Sequence, residues 1–203
     1  MPSRIDDLLE RITQLEREVE IELNRARAEW RYRIEAGRVR FERDVRLAHD
    51  RLKQSIPAFI RESSPVNLLT APIIYSLIAP IALLDLWITL YQALCFPLYG
   101  IARVRRSTYI VIDRHHLAYL NAIEKANCMF CGYANGVFAY TREIAGRTEQ
   151  YWCPIRHAKR VRGPHPHYGE FVAFGDADGY RKRLPLLRAE LKPPPGNPAD
   201  KQA

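Results

Sequence analysis

Residues 63–102 read SSPVNLLTAPIIYSLIAPIALLDLWITLYQALCFPLYGIA, and Asp85 is the only charged side chain among them. A chain of 203 residues does not supply a core large enough to hide such a run. The run therefore reads as membrane-embedded, with water-soluble parts on either side. A spanning helix needs about 20 apolar residues, and here 22 uncharged residues precede Asp85 and 17 follow it. One tilted helix would leave apolar residues over, and two full crossings are barely long enough. A hairpin, re-entrant or spanning, suits arms shortened by Pro72, Pro80 and Pro97. Lys53 and Arg61 stand on one flank, and Arg103, Arg105 and Arg106 on the other. Positive flanks favour the cytoplasm, so the hairpin is expected to keep both ends on that side. Asp85 would sit near its turn or face a partner, with Trp87, Tyr91 and Tyr99 as interfacial anchors. A buried hairpin in a soluble oligomer is the plainer alternative.

Working outward, residues 4–62 carry a helical pattern. Apolar positions fall at Ile5, Leu8, Ile12, Leu15 and Val19, in steps of three and four. The seam then continues through Leu23, Ala26, Trp30, Ile34, Gly37, Phe41, Val45, Ala48 and Leu52. Val19, Trp30, Phe41 and Leu52 are spaced eleven apart, a repeat that favours straight or slightly right-handed bundles. Asp7–Arg11, Glu29–Arg33 and Glu42–Arg46 place acid before base at i,i+4. A helix this long cannot bury its stripe on itself, so a homo-oligomeric coiled coil is expected. The rivals are a single solvated helix and a fold-back at Gly37. Pro57 and Pro65 are expected to end the helix. The start, MPSRIDDLLERI, lacks the apolar core of a secretory signal.

The charge is uneven. Residues 1–62 sum to +1 and residues 63–102 to −1, so the whole formal +8 resides in residues 103–203. Beside a membrane segment, such a balance points to anionic lipid, with nucleic acid as the rival partner. Thr108 to Ile112 reads as a short strand, and Asp113 as the N-cap of a helix carrying Leu117, Leu120 and Ile123. A second helix is expected over residues 135–150, and a basic one over residues 178–191. The tail from Pro193 has a disordered composition.

One constellation carries chemistry. Cys128-Met-Phe-Cys131-Gly132 is a CxxC with glycine, and Cys153-Pro-Ile-Arg-His157 is a CxxxH, with 21 residues between Cys131 and Cys153. Two close pairs separated by about one helix are what a four-coordinate structural site needs. Gly132 would supply positive φ at the knuckle. Zinc is the expected metal, with iron or an iron–sulfur cluster as the alternative. Treble-clef and zinc-knuckle domains carry a similar arrangement, although the likeness covers these four residues only. His165 and His167 could substitute for His157, while a loop histidine is more often simply solvated. His115, His116 and Cys95 read as packing or surface residues. Arg142–Glu143 and Arg147–Glu149 read as an ion-paired face rather than acid/base groups. No phosphate loop, GxGxxG, HExxH or GxSxG occurs, so no catalytic group stands out.

The fold expected is mainly α in four parts. These are a coiled-coil-like helix over 1–62, a membrane hairpin over 63–102, a small α+β metal-stapled, zinc-knuckle-like domain over 103–192, and a tail over 193–203. The function expected is a membrane-anchored, oligomeric metal-binding scaffold or adaptor at the cell membrane, with both soluble parts cytoplasmic and a protein partner docked on its basic surface. A membrane-associated iron or dithiol redox protein and a membrane-tethered nucleic-acid-binding module are the alternatives.

Overall fold

The computed structural model describes residues 4–29, 32–35 and 38–193. It is mainly helical and divides into two compact units. Among the described residues, one comprises those up to Ser63 together with Asp113–Met129, and the other comprises Ser64–Ile112 and those from Phe130 to residue 193.

In the first unit, α1 (Arg4–Glu29) carries the charged helical pattern, but the helix does not run on to residue 62. A two-stranded antiparallel hairpin, β1 (Tyr32–Glu35) and β2 (Arg38–Phe41), follows it. Its register pairs Tyr32 with Phe41 and Ile34 with Val39. The reason lies in YRIE and RVRF, which alternate apolar and charged residues and are rich in aromatic and β-branched types. The eleven-residue seam is therefore cut. Val19 and Leu23 stay on α1, Phe41 ends β2, and Leu52 is the C-cap of α2 (Arg43–Arg51). Trp30 and Gly37 lie outside the described residues.

Helix α3 (Ile56–Glu62) starts at Ser55, whose hydroxyl accepts from the Ala58 N–H, and Pro57 lies in its first turn. Pro65 likewise opens the next helix. These prolines begin helices, where their missing N–H costs nothing, rather than ending one. Within this unit the His49 ring meets Phe41 and Tyr119 edge-on, each at 5.2 Å.

In the second unit, the apolar run forms α4 (Pro65–Ser76) and α5 (Ile78–Tyr99), joined at Leu77 in right-handed helical conformation. There is no hairpin turn at Asp85, which lies inside α5. Together the two make one apolar segment, Pro65–Tyr99, long enough to cross a membrane, with a mean hydropathy of 2.0. The break falls where Pro80, having no N–H, leaves the Ser76 carbonyl without its i+4 donor. Gly100 closes α5 in the left-handed region at φ 68°.

The expected strand at residues 108–112 is instead a single turn, α6 (Arg106–Tyr109), and a coil. Asp113 caps only a 3-10 turn, Arg114–His116. The long helix begins later, at a capping box on Asn121. The Asn121 carboxamide oxygen accepts from the N–H groups of Ile123 and Glu124, and the Glu124 carboxylate accepts from the Asn121 N–H. That helix, α7 (Ala122–Trp152), runs 31 residues without interruption. It absorbs both the CxxC and the expected helix over residues 135–150. Helix α8 (Ala177–Glu190) is capped by Asp176 and docks through Gln150, whose amide donates to the Leu187 carbonyl at 2.9 Å.

The second unit's core is Phe96, Ile101, Val104, Tyr140, Ile144 and Leu191. A second cluster joins Ile81 to Ala134 and Val137. Gly136 lets the chain at Tyr109 and Ile110 cross α7 at close range, since a Cβ there would meet the Ile110 Cα and the Tyr109 carbonyl at 2.8 Å. The region after residue 103 is thus helical, with one isolated parallel bridge, Ile155–Val172, rather than a small α+β domain stapled by metal.

Candidate functional site

Helix α5 has two unlike faces. Ile81, Asp85, Gln92 and Phe96, spaced by four, seven and four, are buried. Opposite them, Leu83, Leu86, Trp87, Leu90, Leu94 and Leu98 form an exposed stripe, with Trp87 at 68% and Leu98 at 81%. Every side chain on that outward stripe is apolar, while the polar ones point inward. A water-soluble helix is built the other way round.

The inward polar groups are all satisfied. Arg106 donates to both Asp85 oxygens, Nε at 3.1 Å and Nη2 at 2.6 Å. The Tyr133 hydroxyl donates to Asp85 Oδ2 at 2.9 Å. Further along, Gln92 accepts from the Val104 N–H at 3.0 Å and donates to the Val104 carbonyl at 3.2 Å, and its amide also reaches Tyr140. The Tyr91 hydroxyl lies 3.0 Å from Thr148 Oγ1, and Tyr99 stacks on Tyr151 at 5.1 Å. Partners on α7 thus climb with α5, from Tyr133 opposite Asp85 to Tyr151 opposite Tyr99, so the two helices run side by side in the same direction. The non-helical chain after α5 runs back along it: Arg103 donates to the Ala93 carbonyl, Val104 meets Gln92, and Arg106 reaches Asp85. On α4, the Thr70 and Ser76 hydroxyls turn back onto their own helix, donating to the Val66 and Ile73 carbonyls.

A second polar cluster straps the Pro/His-rich loop to α7. His167 Nε2 lies 3.0 Å from Glu143 Oε1, which also accepts from Arg147 Nε at 2.8 Å. His165 Nε2 lies 2.9 Å from Glu149 Oε2. Arg142 donates to the Gly163 carbonyl at 2.8 Å. Gly146 makes room between the two ring contacts, since a Cβ there would stand 2.7 Å from His165 Nδ1. The hydrogen bond from His167, reinforced by Arg147, outweighs burial and holds the Glu143 carboxyl down at about 2. This cluster fastens the loop to α7.

The expected metal ligands are not brought together. Cys128 and Cys131 are one turn apart near the start of α7, while Cys153 follows the end of that same helix. At 1.5 Å per residue, the 22 steps from Cys131 to Cys153 amount to about 33 Å, whereas a tetrahedral zinc site keeps its ligands within about 2.3 Å of the metal. Gly132 is a buried helical residue under the Val111 carbonyl, not a knuckle at positive φ. His157 donates its backbone N–H to the Tyr168 hydroxyl at 2.7 Å and stacks on that ring. Among the described residues, no three His, Cys, Asp or Glu side chains are grouped to hold a metal ion. The residues do not fit a four-ligand zinc centre in one chain. The spacing misled because the intervening 21 residues stay helical and extend the chain instead of folding it back.

Sequence reasoning missed Arg106 as the partner of Asp85, 21 positions away, and it missed the strap to Glu143 and Glu149. The signal available for the first was the rule that a lone carboxylate in an apolar run needs a cation. No protein-family model matches the chain, and neither a curated protein nor a solved structure shows significant similarity to it.

Proposed function

We propose that this protein is a membrane-anchored adaptor that holds a basic helical unit at the face of an anionic bilayer. The observation that carries the reading is the inverted polarity of α5. Its charged and amide side chains are buried on protein partners, and its outward stripe is wholly apolar. That inversion suits a hydrocarbon surround, where buried polar groups must be satisfied by protein and outward ones are costly. The formal +8 over residues 103–203 adds attraction to anionic headgroups, and the positive residues on both flanks favour a cytoplasmic side for both soluble parts. Self-association through the apolar stripe of α1 would multiply weak membrane contacts into avid ones.

Vesicle flotation tests the reading. The full chain, diluted out of detergent, is expected to float with vesicles of phosphatidylcholine and phosphatidylglycerol and to bind less with phosphatidylcholine alone. Recovery of monodisperse protein in buffer, with no protein in the floated fraction, would defeat it.

A further inference from the structure

The geometry points to a specific mode of anchoring, which rests on the membrane reading above. The outward stripe of α5 lies in the plane of one leaflet, and α5 does not cross the bilayer. By length alone α5 could cross, since 22 residues give about 33 Å. Its neighbours forbid it. The inward face is clad by α7 from Asp85–Tyr133 to Tyr99–Tyr151, so a spanning α5 would draw that stretch of α7 into the hydrocarbon. The stretch carries Arg142, Glu143, Arg147 and Glu149.

The second obstacle is the charge carried by the chain after α5. Residues 101–105 are non-helical and lie against the middle of α5, with Arg103 on Ala93 and Val104 on Gln92. Their backbone is held by protein, Ala102 on Leu191 and Val104 on Gln92, but the Arg103 and Arg105 side chains are exposed, which is costly at that depth. Arg106, whose side chain is 47% exposed, is tied to Asp85 in the helix's second turn, and Arg105 is exposed beside it. In a crossing these arginines would face the acyl chains. In the plane, they stand at headgroup level on the water side while Leu83, Leu86, Trp87, Leu90, Leu94 and Leu98 face down. Helix α4 is apolar but, at about 18 Å, too short to cross alone.

The occupant of the stripe is therefore the upper part of one leaflet, rich in anionic headgroups. Trp87 measures the depth, because it is the tenth of the 22 residues of α5 and lies on the stripe. With Trp30→Phe and Trp152→Phe, it becomes the sole indole. Vesicles carry lipid brominated either near the top of the acyl chain or near its methyl end. An in-plane helix sits roughly 5–10 Å below the headgroup boundary, so shallow bromine is expected to quench at least about twofold more strongly than deep bromine. Stronger quenching by deep bromine would overturn the in-plane mode and keep membrane anchoring. Failure of both to quench would overturn anchoring itself.

The unsubstituted chain supplies a second readout. Cys131 and Cys153 are exposed near opposite ends of the α7 stretch that parallels α5. A membrane-impermeant maleimide, added outside sealed vesicles already carrying protein, is expected to label both on the same molecule. Labelling at only one of the two would mean a crossing.

Discussion

Helices α1 and α5 both expose apolar stripes, and what they do with their polar residues separates them. On α1, Leu15, Val19 and Leu23 are more than half exposed, and charged neighbours such as Arg17, Glu18, Glu20 and Glu22 are exposed too. That stripe lies beside exposed charge, the arrangement expected of a helix that would pair with another helix in water. On α5 the stripe is flanked by no exposed charge, and Asp85 and Gln92 are buried on the opposite face. An exposed leucine therefore says little by itself. The position of the nearest polar side chain says which solvent the helix was built for.

The magnitudes agree. Burying a leucine side chain completely is worth about 1.5–3 kcal/mol, so the six stripe residues of α5 can together supply a usable membrane affinity even after partial exposure is discounted. A charged residue at the bilayer centre costs about 2.5–3.5 kcal/mol on insertion scales. A crossing that placed the four charges of α7 near that depth would cancel most of the gain.

The sharpest break of this comparison is Leu86→Glu with Leu90→Glu. It is expected to lower vesicle partitioning by about 100-fold or more while leaving the thermal unfolding midpoint nearly unchanged, because both side chains face outward. Unaltered partitioning would erase the distinction between the two stripes. The inward face predicts the opposite split. Asp85→Ala removes the partner of Arg106 and Tyr133 and is expected to destabilise the fold by about 1–3 kcal/mol, the lower figures applying because Arg106 is half exposed. Urea unfolding reads this, and adding Arg106→Met should recover part of the loss in a double-mutant cycle.

Gly136→Ala tests the close crossing at Tyr109 and Ile110. Overpacking of about 1–3 kcal/mol is set against a helix-propensity gain of about 1 kcal/mol. Because the contacts at 2.8 Å are backbone atoms, net destabilisation is expected in the same unfolding assay.

The strap predicts an acid-sensitive component. Glu143 is held at about 2, below its ordinary 4.5, so the unfolded chain takes up its proton first. The stability this supplies is full above pH 4.5 and is lost as pH falls towards 2. Glu143→Gln should lower stability at neutral pH and flatten that acid limb, as followed by circular dichroism against pH. The smallest effect belongs to α1. Val19→Lys with Leu23→Lys is expected to shift a self-associated species towards monomer in analytical ultracentrifugation, with folding stability changed by less than about 0.5 kcal/mol.

Much of the architecture was legible in the residues. The apolar run, the charged helix before it and the basic half after it follow from hydropathy and charge, which act locally. The capping box at Asn121 and Glu124 and the alternation in YRIE and RVRF are also written there, although the latter competes with a helical seam that runs through the same residues. What only the tertiary structure decided concerns partners distant in sequence. Spacing cannot say whether 21 residues between two cysteine pairs fold back or stay helical, and helix α7 carries the pairs apart. Nor can an isolated Asp85 name Arg106, or a glycine in a helix announce the chain that crosses it. Most decisively, the sequence marks α5 as apolar, whereas its packing on α7 turns the polar residues inward and leaves one leucine-rich face outside. Periodicity shows that a helix has faces; only long-range contact selects the face that is covered.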